Sequence, residues 1–246
     1  MDIVDLREFY ATRFGITTKR LIAKRLQSRL GALRGASVMG LGFASPYLEA
    51  GMEETRRCLA FIPAQQGVIH WPPDGLVRSA LVDECELPLL ESTIDLALVI
   101  HGLELADAPD EMLKEIWRVM APQGRLLLVV PNRRGVWASF DTSPFGFGQP
   151  FSRPQLAKFL REAHFSIMSW SQALFFPPLD RSVILSTASL WENTGSRVAP
   201  ALAGVFIVEA VKQVYAISSG KRIRRLVPRW RPVLHPSPQR RSTADG

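Results

Sequence analysis

Three short segments hold the residues best able to do chemistry. The first, Val38-Met39-Gly40-Leu41-Gly42-Phe43-Ala44-Ser45, is an apolar run that ends in a glycine turn and then enters a helix. In an α/β fold, glycine at the carboxyl end of the first strand lets the backbone approach a ligand. The same Gly-x-Gly also suits a plain tight turn. The second segment starts at Val82-Asp83-Glu84-Cys85-Glu86-Leu87-Pro88 and continues from Ile94-Asp95-Leu96 through Ile100-His101 to Leu103-Glu104. An acid at a strand tip, such as Asp83, can accept a hydrogen bond from an exocyclic amine, or can cap its own turn. His101 closes a run apolar enough to be buried on both faces. It serves there either as a base or as a structural hydrogen-bonding group. The third segment runs from Glu115-Ile116-Trp117-Arg118 into Pro122-Gln123-Gly124-Arg125-Leu126.

Other chemistries find little support. Cys58 and Cys85 stand apart from each other and from other ligand types, as reduced thiols in a cytoplasmic protein would. The four histidines show no metal-ligand spacing, so no metal is expected. The first residues contain Asp2, Asp5, Arg7 and Glu8, which excludes the apolar core of a signal peptide. The stretch 199–217 is broken by Glu209 and Lys212 and is too short to span a bilayer. Residues 219–246 carry eight basic side chains against Asp245 alone, which accounts for the whole net charge of +7. The basic character therefore belongs to a tail. That tail suits RNA, anionic lipid or an acidic partner, or it is a partly disordered solubilising segment.

The elements that must position these residues alternate. Two N-terminal helices are expected, the second starting at Thr17 or Thr18 and running to Leu30. A strand over 36–42 is followed by a helix over 45–54, and strands follow at 57–64, 79–82 and 94–100. A helix over 107–121, capped by Asp107, leads into a strand over 124–130. A long loop then spans 131–151, and Ser152 caps a helix reaching His164. A strand near 167–175, a helix near 181–193 and a strand near 204–211 complete the domain. This rhythm implies a parallel doubly wound α/β sheet with helices on both faces. The organisation read here is a helical cap over 1–34, an α/β domain over 35–217 and a basic tail over 218–246.

The order Asp83…Leu87-Pro88…Ile94-Asp95-Leu96…His101…Leu103-Glu104, then a capped helix and Pro122-Gln123-Gly124-Arg125-Leu126, resembles the class I S-adenosylmethionine-dependent methyltransferases of the small-molecule type. The resemblance covers roughly 36–165. It implies a Rossmann-like sheet of seven strands, the last antiparallel, with S-adenosylmethionine across the carboxyl ends of the first four strands. It implies that Gly40, Gly42 and Ala44 lie against the methionine part of the cofactor. Asp83 would meet the adenine amine, with the Glu84 backbone beside the ring. His101 would stand where cofactor and substrate meet and is the candidate base, and Tyr10 would belong to a lid. Arg133 and Arg134 either meet a substrate anion or are solvated loop residues. Trp137 either lines a substrate pocket or covers the core.

The first loop departs from that pattern. The usual acid is Gly40, and the two later glycine positions are Ala44 and Pro46. The second strand ends in Phe61-Ile62-Pro63-Ala64, with no acid for a ribose diol, so Gln65 or Gln66 must substitute. Each charge-assisted anchor contributes about 1.5–3 kcal/mol. The leading expectation is a methyltransferase acting on a small molecule. The alternative is a methyltransferase-like protein without catalysis that holds a protein partner. A nicotinamide dehydrogenase rests on Gly40 and Gly42 alone.

Overall fold

The computed structural model describes residues 1–30, 33–67, 69–140 and 143–213. The basic tail read over 218–246 lies outside the described residues. Seven strands form one sheet: β1 (Ser37–Gly42), β2 (Arg57–Pro63), β3 (Ser79–Val82), β4 (Ile94–Ile100), β5 (Met120–Pro131), β6 (Phe165–Ala173) and β7 (Val205–Lys212). Their order is β3-β2-β1-β4-β5-β7-β6. The pairs from β3 through β5 are parallel, whereas β7 runs antiparallel to both β5 and β6. This is the doubly wound α/β architecture expected, with its last strand reversed.

Alternation along the strands divides the core between two faces. Leu96, Leu98 and Ile100 of β4 point to the face covered by helices α1 (Ile3–Ala11) and α2 (Arg13–Leu30), which bury Leu6, Ile22 and Leu26 there. Ala97 and Val99 point to the other face. There α4 (Pro109–Val119) contributes Met112, Leu113 and Ile116, and α5 (Arg153–Glu162) contributes Leu156 and Leu160. Full burial of each of these aliphatic side chains stabilises by about 1.5–3 kcal/mol.

The N-terminal helices share this core, and Met1–Val214 form one compact unit. Arg125 of β5 fastens them. Its guanidinium donates to the carbonyls of Arg29 at 2.7 Å and Leu30 at 2.9 Å, which satisfies exposed acceptors at the end of α2.

Local chemistry shifts several boundaries. α2 starts at Arg13, not at Thr17 or Thr18. Thr12 Oγ1 accepts the Gly15 N–H, while the Thr17 and Thr18 hydroxyls donate back to the carbonyls of Arg13 and Phe14, inside the helix. The helix over 45–54 divides into α3 (Ser45–Leu48) and a 3-10 stretch, Glu49–Glu54. Asp107 does not cap α4; its carboxylate instead accepts from Gln65 Nε2 at 2.8 Å. Between β6 and β7 stand two helices, α6 (Ser182–Ser186) and α7 (Ala188–Val198).

Candidate active site at the carboxyl edge of the sheet

The carboxyl ends of β1 and β4 meet at Gly42 and Ile100. Gly42 has φ +79°, and a Cβ there would press into the carbonyl oxygens of Ile100 and His101. Only glycine lets the turn leave β1 so close to β4, and the Phe43 N–H then donates to Ile100 O at 2.7 Å. At Gly40 a Cβ would meet Leu48 Cδ1 at 2.7 Å and Ala44 Cβ at 2.9 Å. Both glycines are therefore used by the chain packing against itself.

His101 follows β4 with φ 51° and is almost wholly buried. A non-glycine residue in the left-handed region is costly and clusters at functional sites. Its Nδ1 lies 3.2 Å from Glu104 Oε1, and its Nε2 lies 2.9 Å from the Tyr10 hydroxyl. The Glu104 carboxylate takes the Nδ1–H, which leaves Nε2 to accept from Tyr10. Tyr10 in turn accepts from the Tyr47 hydroxyl at 3.2 Å. Burial first, then Tyr47 and the Glu104 carboxylate, hold the Tyr10 phenol well above its ordinary pKa, so it stays a neutral donor. The Tyr10 ring also stacks on Phe43 at 5.2 Å, and His101 packs against Phe145 at 4.8 Å. α1 thus lies over the turn after β1 and fills it with its tyrosine.

Beside this junction, at the ends of β2, β3 and β4, is a cavity of about 120 Å³ lined by Met1, Pro63, Gln65, Gln66, Glu84 and Leu105. Gln66 Nε2 donates to His101 O at 2.8 Å, which ties the cavity wall to the histidine. Among the described residues, Gln66 Oε1 and Glu104 Oε2 are buried without a hydrogen-bond partner. Such orphaned polar atoms cost free energy and call for an explanation.

The residues singled out in the sequence fall into two groups. Tyr10, Gly42, Ala44, Glu84 and His101 come together at this edge. Asp83 does not line the cavity: it is exposed, and its Oδ1 accepts the Cys85 N–H at 2.8 Å, capping its own turn. Arg133 is exposed and donates to Pro150 O at 3.2 Å. Arg134 lines a separate groove of about 390 Å³ with Asn132, Arg153 and Phe206. Trp137 is fully buried, stacks on Phe14 at 5.2 Å and donates from Nε1 to Phe176 O at 2.9 Å. It belongs to the core. Tyr47 takes part unannounced by the sequence, because it stands outside the motifs of acids and glycines, and the Phe43 ring does so from within the first glycine segment, where only the glycines drew notice. Among the described residues no cluster of His, Cys, Asp or Glu is arranged to hold a metal, and no helix is long and apolar enough to cross a membrane.

Residues 32–128 match the family model for the methyltransferase domain. The α/β core has the fold of the class I, S-adenosylmethionine-dependent methyltransferases. Solved structures share the fold. A methyltransferase from Haloferax volcanii, in complex with the Trm112 methyltransferase activator, superimposes with TM-score 0.62 at 17% identity, over 87% of this chain and 99% of that one. An S-adenosylmethionine-dependent methyltransferase from Archaeoglobus fulgidus gives 0.56 at 17% identity, over 83% and 96%. One from Mesorhizobium loti gives 0.53 at 13% identity, over 76% and 96%. A search of the curated proteins finds no significant match.

Set against S-adenosylmethionine, the two ends of the methyltransferase domain's crevice differ. The adenosine end is compatible with the residues present: a cavity with amide and carboxylate side chains in its wall and an orphaned acceptor beside it. The end that the resemblance assigns to methionine is filled by Tyr10 and Phe43, and Gly40 stands where the resemblance implies an acid. With α1 seated as it is, that end does not fit.

Proposed function

We propose that the protein is an S-adenosylmethionine-dependent methyltransferase for a small-molecule acceptor, whose crevice α1 closes until ligand displaces it. The observation that supports this reading best is the buried Tyr47–Tyr10–His101–Glu104 chain at the end of β4, with two polar atoms beside it lacking partners. A core evolved only for stability gains nothing from such atoms. Gln66 and Glu84 hold the nucleoside end. The cofactor, when bound, would supply an electrophilic methyl group. His101 Nε2, freed of Tyr10, would take a proton from the acceptor, and Glu104 would keep the imidazole in the tautomer that allows it. α1 excludes water when it is seated. The reduced cysteines, one of them buried, suit a cytoplasmic protein.

A second reading, a methyltransferase-fold protein that binds a partner and does no chemistry, is favoured by the filled methionine end. The Haloferax neighbour, held by an activator protein, makes a protein partner a reasonable companion to either reading. Incubation with S-adenosylmethionine labelled at the methyl group, together with pools of small hydroxy and amino compounds, separates the two. Label transfer that is lost in His101→Ala supports the enzyme. Absence of both transfer and cofactor binding supports the scaffold.

A further inference from the structure

The groove of about 390 Å³ that contains Arg134 is built from the ends of three strands and the start of a helix. Gln172 of β6 and Phe206 of β7 are register partners, so their side chains stand together on one face of the sheet. Arg153 and Pro154 enter the groove from the first turn of α5, Arg134 from the loop after β5, and Pro200 from the 3-10 turn Pro200–Leu202. Phe206 packs with the core layer under α5, whereas Tyr10 packs with the layer under α1.

The groove is fixed in shape by side chains beside it. Asn132 is buried, and its Nδ2 donates to Ala201 O at 3.1 Å and Ala203 O at 2.8 Å. Its Oδ1 accepts the Arg134 N–H at 3.1 Å. One amide therefore holds both the turn that carries Pro200 and the backbone that carries Arg134. The Arg153 guanidinium lies 4.8 Å over the Trp170 ring, which itself meets Phe206 edge-on at 5.9 Å.

The charge in this groove is unbalanced. Arg118 and Arg125 each pair with a carboxylate. Among the described residues Arg134 and Arg153 pair with none, and no acid lines the groove. The side-chain amide of Gln172 likewise has no partner among the described residues.

We propose that this groove binds a small organic oxyanion, a carboxylate or a phosphate ester. Its charged head is held by Arg134 and Arg153, and its apolar body lies against Phe206, Pro154 and Pro200. A guanidinium offers paired N–H donors that match the oxygens of either head, and Gln172 adds a further donor. The volume falls in the range of small-molecule sites, about 300–1,000 Å³. A bare inorganic ion would leave the apolar lining in water, which is why an organic body is expected. The groove is separate from the crevice, so the proposal does not rest on methyl transfer.

The test is calorimetric titration of the full chain with benzoate, phenyl phosphate and inorganic phosphate, with the amide resonances of Gln172 and Phe206 followed by NMR. At least one organic anion should saturate at roughly millimolar concentration or below and shift those two amides. The tighter of the two identifies the head group. Inorganic phosphate should bind at least about tenfold more weakly than the better organic probe. Arg134→Gln and Arg153→Gln should each weaken binding about tenfold or more. Both arginines are exposed, so these variants should fold as the parent does. Lys158→Gln removes an exposed charge further along α5 and should leave binding unchanged. Four outcomes overturn the proposal: no saturation by either organic anion; shifts that spare Gln172 and Phe206; inorganic phosphate binding as tightly as the organic probes; or arginine substitutions that weaken binding no more than Lys158→Gln does.

Discussion

The Tyr10 hydroxyl lies 2.9 Å from Nε2 of His101, across 91 residues of sequence, and closes the crevice of the fold with a hydrogen bond. The contact joins the N-terminal helix to the end of β4, the place where catalysis would need a free imidazole. It makes α1 part of the core and, on the proposed reading, an obstacle to the cofactor. α1 is short, capped at its start by Asp2 and left at Thr12 in extended backbone, so its seat can be weakened without rebuilding the sheet.

Removing the hydroxyl tests that seat. Tyr10→Phe keeps the ring on Phe43 but loses the bonds to His101 and from Tyr47. The expected cost is about 1–3 kcal/mol, because a buried acceptor is left unpaired. Urea denaturation measures it, and amide exchange over 3–11 should accelerate. An unchanged midpoint would mean that the bond contributes nothing to holding α1.

Gly42→Ala tests whether the first loop's glycine is required by the fold itself. The positive φ and the nearby Ile100 and His101 carbonyls leave no room for a Cβ. A loss of about 2 kcal/mol or more is expected in the absence of any ligand. A variant as stable as the parent would assign Gly42 to ligand approach alone.

Trp137→Ala distinguishes a core residue from a pocket wall. The indole is fully buried against Phe14, Phe145 and Phe176. Truncation should cost about 3–5 kcal/mol. A pocket-lining tryptophan would cost far less, and thermal melting separates the cases.

Glu115 provides a pH-dependent check. Burial alone would push its carboxyl up, but hydrogen bonds from Arg118 and the Leu87 N–H outweigh that and hold it below the ordinary range. A depressed acid contributes stability above its unfolded pKa, about 4.3, and loses it as the pH falls through the lower folded value. Glu115→Gln should therefore destabilise by about 1.5 kcal/mol at neutral pH. The gap from the parent should close below about pH 4. A gap that stays constant with pH would contradict the assignment.

How far the sequence could be read follows from where each signal lives. β4 and the core of β5 are unbroken apolar runs that no exposed element could carry, so the sheet and its order of elements were legible. Thr17 and Thr18 looked like helix starts because the sequence does not reveal that their hydroxyls bond back inside α2. Asp83 stands at a strand tip as expected, and of its two possible roles the structure shows the turn cap, through the backbone N–H two residues on. Trp137 in a long loop reads alike as pocket wall or core, and only packing against Phe14 decides. The resemblance offered Tyr10 as a lid residue, but its partner lies 91 residues away and no local pattern names it.

The account turns on whether α1 competes with S-adenosylmethionine for the crevice. The direct measurement is calorimetric titration of the cofactor into the full chain and into Asp2→Ala. Asp2 is exposed and accepts the Val4 and Asp5 N–H groups that begin α1. Its loss weakens the helix by about 1 kcal/mol without altering the lining at Tyr10, His101 or Glu84. If seating of α1 opposes binding, both proteins bind and the variant binds about fivefold more tightly. Equal affinities would contradict closure by α1, and binding by neither would leave the fold as a scaffold without its cofactor.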